Sequence, residues 1–114
     1  MGKPKRIIFN LKRLWTYPDG RTVDLYEEIK SGRKISEWRD YKPYWEDRLF
    51  KRKMIDGMEH FRQKVNKAWF VVGFPKNNLP RLEADITNIL IHVDDEGFAE
   101  QIEIKFTNVK EVTE

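Results

Sequence analysis

The sequence predicts an α+β fold: a small, twisted, barrel-like sheet with helices packed at one end. Three observations predict it. The clearest helical pattern is early and short. The last third of the chain is β throughout. One long strand there changes phase midway, as a bent strand does.

Each element follows from its local pattern. "RIIFNLKRLW" opens with Ile7, Phe9 and Leu11 in alternation, the mark of a half-buried strand. "YPDGR" is a turn by its Pro-Asp-Gly content. In "TVDLYEEIKSG", Thr22 is the expected helix cap and Asp24 sits in the first turn. Leu25, Tyr26 and Ile29 share one face, and Gly32 takes the left-handed closing position. "KISEWRD" reads as a short strand. "YKPYWEDRLFKRKMIDGMEHFRQKVN" places Trp45 with Leu49, then Met54, Met58, Phe61 and Val65, at helical spacing; a helix in pieces is expected there, interrupted near Gly57.

"KAWFVVGF" is an apolar strand that stops at the loop signal "PKNNLP". "RLEADITNILIHV" alternates at Leu82, Ala84 and Ile86, then at Ile89, Ile91 and Val93; the odd step between Ile86 and Ile89 predicts a β-bulge. "DDEG" is a turn, and "QIEIKF" alternates at Ile102, Ile104 and Phe106. Residues 1–5 read as a basic tail, 6–112 as one domain and 113–114 as a short C-terminal tail, consistent with a chain of 114 residues.

Composition excludes some functions. There is no cysteine, so disulfides, thiolate zinc sites and a cysteine nucleophile are out. His60 and His92 lack ligand-spaced partners, so no metal is expected, and no cofactor fingerprint occurs. No apolar run reaches membrane-spanning length, and "MGKPKR" lacks a signal-peptide apolar region, which sets the expectation of a cytoplasmic protein. The net charge of +3 divides unevenly. Residues 1–67 carry 18 Lys and Arg against 10 Asp and Glu, and residues 68–114 carry 4 against 9. The basic part also holds Trp15, Trp38 and Trp45 with Tyr17, Tyr41 and Tyr44. Cations among aromatics suit single-stranded RNA, where cations meet phosphates and rings stack on bases. The same cations also make an ordinary solvated surface, as do "KRK" at 51–53 and the acids of "DDE" at 94–96.

The stretch "SGRKISEWRD" concentrates chemistry. Strand alternation places Glu37 and Arg39 on one face, to pair or to hold a polar ligand, and Lys34, Ser36 and Trp38 on the other. Convergence of all three charges requires a bend. Trp38 reads as core. A catalytic lysine requires burial or a cationic neighbour, and Lys30 and Arg33 are the nearby cations.

Gly32, Lys34, Glu37 and Arg39 match the G-x-K-x-x-E-x-R motif. With the preceding helix "VDLYEEIKSG", the W-x-x-R pattern at Trp45 and Arg48, the strand "WFVVGF" and the section starting "PRLEADITNI", residues 6–112 resemble the ASCH domain family of the PUA-like superfamily. The resemblance implies a small β-barrel whose cleft is lined by the motif, in a family thought to bind or act on RNA. Some members are amidohydrolases on N4-acylated cytidines and others ribonucleases. In the amidohydrolase type the motif lysine, Lys34 here, is catalytic. That type has threonine at the position of Glu37, and its further catalytic glutamate has no counterpart that aligns here.

The resulting expectation is RNA or nucleotide binding in a cleft by Gly32, Lys34, Glu37, Trp38, Arg39, Tyr41 and Arg48, with Trp38 or Tyr41 as stacking wall. The alternatives are an RNA-directed hydrolase using Lys34 and Glu37, and a protein-interaction module whose basic half docks on an acidic partner.

Overall fold

A computed structural model of the chain describes residues 5–114; apart from Lys5, the expected N-terminal tail lies outside the described residues. Five strands form one sheet in the order β1 (Arg6–Leu11), β7 (Lys67–Val72), β8 (Arg81–Val93), β9 (Ala99–Val112) and β4 (Ser36–Asp40). β1 and β7 are parallel and the other pairs antiparallel. A parallel pair requires a long crossover. Here the crossover carries a hairpin of β2 (Leu14–Thr16) and β3 (Thr22–Asp24), helix α1 (Leu25–Lys30), edge strand β4 and helix α2 (Pro43–Leu49). The hairpin β5 (Phe50–Ile55) and β6 (Met58–Gln63) completes it.

The sheet is a curled half-barrel with β1 and β4 as its two edges. Bulges supply part of the bend. The β8–β9 register shifts between Ile86 and Asn88, where the sequence changes phase, and again between Glu83 and Asp85. At the second shift Asn108 has a φ of 56°, a left-handed conformation that asparagine tolerates, and its amide donates to Asp85 at 3.0 Å. Beyond the first bulge Ile89 is half-buried, but Ile91 and Val93 are exposed because the β8–β9 ribbon runs past the core.

The core is the concave side. Ile7, Phe9 and Leu11 bury one face of β1, and Ile102, Ile104 and Phe106 bury one face of β9. Aromatic rings link the layers in a row: Trp45 to Phe9 at 5.5 Å, Phe9 to Phe70 at 5.6 Å, and Phe70 to Phe106 at 4.9 Å between centroids. The row runs from α2 across β1 and β7 to β9.

Two expectations are corrected. The helix expected over 41–66 is helical only in α2, and β5–β6 follow as an antiparallel hairpin. Asp56 and Gly57 both have positive φ, 51° and 77°, as a two-residue hairpin turn of the right twist requires. Asp-Gly was the local signal that outweighed the helical spacing of Met54, Met58 and Phe61, all of which are exposed on the ribbon. The α1 cap is Asp24, whose Oδ1 accepts from the Glu27 amide at 3.1 Å, not Thr22. Thr22 is held in the β2–β3 ladder opposite Thr16, so the helix can start only after Asp24.

Phe9→Ala is expected to remove about 3–5 kcal/mol of stability, because it empties the middle of the aromatic row. Met58→Ser on the exposed ribbon should stay within about 0.5 kcal/mol of wild type. Urea unfolding of the two variants checks both.

Candidate functional site

The opening turn of the motif is positioned by α1. Gly32 has a φ of 83° and donates its amide to the Ile29 carbonyl at 3.1 Å, closing the helix. An added Cβ there would meet nothing within 4 Å, so Gly32 serves the backbone turn and not a close approach. Past the turn the Lys34 amide donates to the Glu28 carbonyl at 2.9 Å. That bond ties Lys34 to the helix end before β4 begins at Ser36. Lys30 and Arg33 are engaged elsewhere, with Glu111 at 3.1 Å and Glu28 at 3.0 Å.

β4 turns Glu37 and Arg39 inward. Their register partners Ile104 and Ile102 are fully buried, so a carboxylate and a guanidinium occupy positions on the core face. The Glu37 side chain is 8 % exposed. Its Oε1 accepts from Arg39 Nη1 at 2.6 Å and from the Trp38 amide at 3.2 Å. Its Oε2 is buried with no hydrogen-bond partner. Arg39 lies 5.1 Å from the Phe9 ring centroid and 5.5 Å from that of Trp45. Arg39 is on one edge strand and Phe9 on the other, so this contact spans the open seam of the half-barrel.

A cavity of about 530 Å³ lies along that seam. Lys34, Glu37, Trp38 and Arg39 line one side, and Asn10, Leu11 and Lys12 the other. Trp15 and Tyr17 from the β2–β3 hairpin, Leu25 of α1 and Gln101 of β9 complete it. The volume falls within the range of about 300–1,000 Å³ usual for small-ligand sites. Strand alternation alone put Lys34 apart from Glu37 and Arg39. They share a cavity because Lys34 precedes the strand, on the turn that α1 holds.

Trp38, read as core, is 39 % exposed. It alternates away from Glu37 and Arg39, and its ring stacks on His92 at 4.7 Å between centroids. Trp38 still borders the cavity, and Trp15 and Tyr17 join it as the other aromatic lining residues. Both were visible in the sequence as aromatics of the basic half, but nothing local tied them to β4.

Tyr41 and Arg48 do not line this cavity. Tyr41 donates its hydroxyl to Glu46 Oε2, while Arg52 pairs with Glu46 Oε1. The bond to Glu46, then burial, pushes Tyr41 up to about 12. The bonds from Tyr41 and Arg52 hold the Glu46 carboxyl below its ordinary value. Arg48 lies 3.5 Å over the Tyr44 ring and borders a different concavity. Of the "DDE" acids, Asp94 accepts from the amides of Glu96 and Phe98, both at 2.9 Å, and so builds its own turn.

No protein-family model, curated protein or solved structure matches the chain.

Arg39→Ala should destabilise the fold by about 3–5 kcal/mol, since it leaves the buried Glu37 carboxylate without its cation. Adding Glu37→Gln should recover part of that loss in urea unfolding. The Glu46 cluster has its own pH signature. A depressed carboxyl stabilises the fold fully above its ordinary value near 4.5, and the contribution is lost as pH falls through the lower folded-state value. Wild type should therefore be more stable than Glu46→Gln at pH 7, with the gap closing below pH 4.5. Unfolding midpoints across pH 3–7 check this.

Proposed function

We propose that the chain is an ASCH-type, PUA-like RNA-binding domain that takes one nucleotide into the cavity between β1 and β4. The observation that carries this reading is the Glu37 carboxylate. One oxygen is held by Arg39 and the Trp38 amide, while the other is buried and unpartnered beside a cavity of ligand size. A buried acceptor left without a donor costs about 1–3 kcal/mol or more when charged. A base amino or imino group, or a ribose hydroxyl, supplies the missing donor.

The remaining lining fits the rest of a nucleotide. Trp15 and Tyr17 offer ring faces, and a base stacked on such a ring gains about 1–3 kcal/mol. Lys12 and Lys34 are the cations available to phosphate, because Arg39 is already engaged by Glu37 and the Trp38 carbonyl. In this reading Gly32 makes the turn, Lys34 meets phosphate, Glu37 reads a donor and Arg39 orients Glu37. This differs from the sequence-based expectation, in which Arg39 itself met the ligand and Tyr41 and Arg48 joined it.

A second reading, hydrolysis of an N4-acylated cytidine, is favoured by the presence of Lys34 and Glu37 on one cavity. Glu37 would take a proton from a water attacking the acyl carbon, and Lys34 would stabilise the resulting oxyanion. The C–N4 bond would then break, with that proton passing to the departing amino group, releasing the carboxylic acid and cytidine.

A fluorescent single-stranded RNA titrated against wild type, Lys34→Ala and Glu37→Gln tests the binding reading. Lys34→Ala should weaken binding about tenfold, as loss of one charged contact does. Glu37→Gln should alter the preference among bases more than the affinity for phosphate. Equal affinity in all three proteins would remove the cavity from the RNA site. Release of acetate from N4-acetylcytidine, lost in Lys34→Ala, would establish the hydrolase instead.

A further inference from the structure

The β5–β6 hairpin takes no part in the cavity between β1 and β4. A two-stranded ribbon is marginally stable in water, and this one adds an electrostatic cost. Its register sets Lys51 directly opposite Arg62. Like charges directly opposite destabilise a β-pair.

Alternation sorts the ribbon into two unlike faces. On one face Arg52 turns back toward α2. It pairs with Glu46 and with Glu59 at 3.4 Å, and it lies 5.5 Å from the Phe61 centroid. That face takes up the nearby carboxylates. The other face carries Lys51, Lys53 and Arg62, and among the described residues none of these forms an ion pair.

The cationic face continues across the molecule. Lys5, Lys51, Arg62 and Lys64 line a concavity of about 430 Å³, and no acid lines it with them. Lys5 and Lys64 also line a second concavity of about 590 Å³, together with Arg6 and Arg48, again without an acid. At its rim the Tyr44 ring is 53 % exposed under the Arg48 guanidinium.

We propose that this surface is a second site, which binds the phosphodiester backbone of the RNA outside the nucleotide held in the cavity. It rests on the RNA reading above for the identity of the polyanion. The ribbon repeats its cations every second residue, about 7 Å apart along a strand. Two connected cation-lined concavities follow, with the exposed Tyr44 side chain and its stacked Arg48 at the rim. Cations that track a strand, interleaved with an aromatic face, are the arrangement that holds single-stranded nucleic acid. Phosphate also accounts for the like-charge pair: a polyanion between Lys51 and Arg62 turns their repulsion into shared attraction.

Lys51→Glu separates binding from folding. It sets an opposite-charge pair across the ribbon, so the unfolding midpoint should hold or rise. Binding of a single-stranded RNA of about 12 nucleotides should weaken by on the order of tenfold. Between about 50 and 200 mM salt the slope of log K against log salt should be shallower by about 1.4, as loss of two phosphate contacts gives. Binding of cytidine monophosphate, which probes the cavity alone, should not change. An unchanged RNA affinity and slope in Lys51→Glu would overturn the second site while leaving the cavity reading intact. RNA binding that depends on Lys51 but not on Lys34, with no binding of cytidine monophosphate, would keep the second site and overturn the cavity. Failure of wild type to bind RNA at low salt would overturn both. Lys51-dependent binding to phosphatidylserine vesicles without RNA binding would reassign the surface to a membrane and overturn the proposal.

Discussion

The architecture depends on one contact, the Arg39 guanidinium lodged against Phe9 and Trp45. Arg39 belongs to the edge strand β4 and Phe9 to the opposite edge, β1. A half-barrel of five strands leaves a seam between its edges, and a seam of bare backbone would be open to water. Arg39 closes it with a planar group that stacks on rings and donates hydrogen bonds in plane, which a lysine cannot do. The aromatic row behind Phe9 transmits that closure to β7 and β9.

The same guanidinium sets the polar character of the cavity. By holding Glu37 Oε1 it allows a carboxylate to occupy a position whose register partner is fully buried Ile104. It does so with one oxygen only. The other remains an unpartnered acceptor in a low-dielectric setting, where a donor from a ligand is worth more than it would be in water. Closure of the fold and the proposed recognition of a ligand therefore draw on one ion pair.

Charge is distributed on a different principle elsewhere. Around α1 and α2 three cations are matched: Lys30 with Glu111, Arg33 with Glu28, Arg52 with Glu46. The first two are exposed pairs that stabilise little but cancel local fields, whereas the Glu46 carboxylate of the third is buried. The outer face of β5–β6 and the surface beside Lys5 and Lys64 are not matched. Part of the excess of positive charge in residues 1–67 is therefore gathered on this surface, at the cost of like-charge neighbours on a thin ribbon.

Local sequence determined the elements whose signals are short in range. The alternation of Ile7, Phe9 and Leu11, the break in phase after Ile86, and the left-handed glycine ending α1 each depend on neighbours a few residues away. The β5–β6 hairpin reads wrongly as helix, because the helical spacing of Met54, Met58, Phe61 and Val65 is weighed above the turn signal Asp56-Gly57. Alternation placed Glu37 and Arg39 on one face, and the structure shows them paired. Only the tertiary structure decided what these residues face. It brought Lys34 beside Glu37 and set Trp15 and Tyr17 across from them. It turned Trp38 outward onto His92, and it sent Tyr41 and Arg48 to other sites. The physical reason is the curl of the sheet. Which edge strand meets which, and therefore what lines the seam, depends on bulges and packing summed over the whole chain, and no local window of sequence contains that sum.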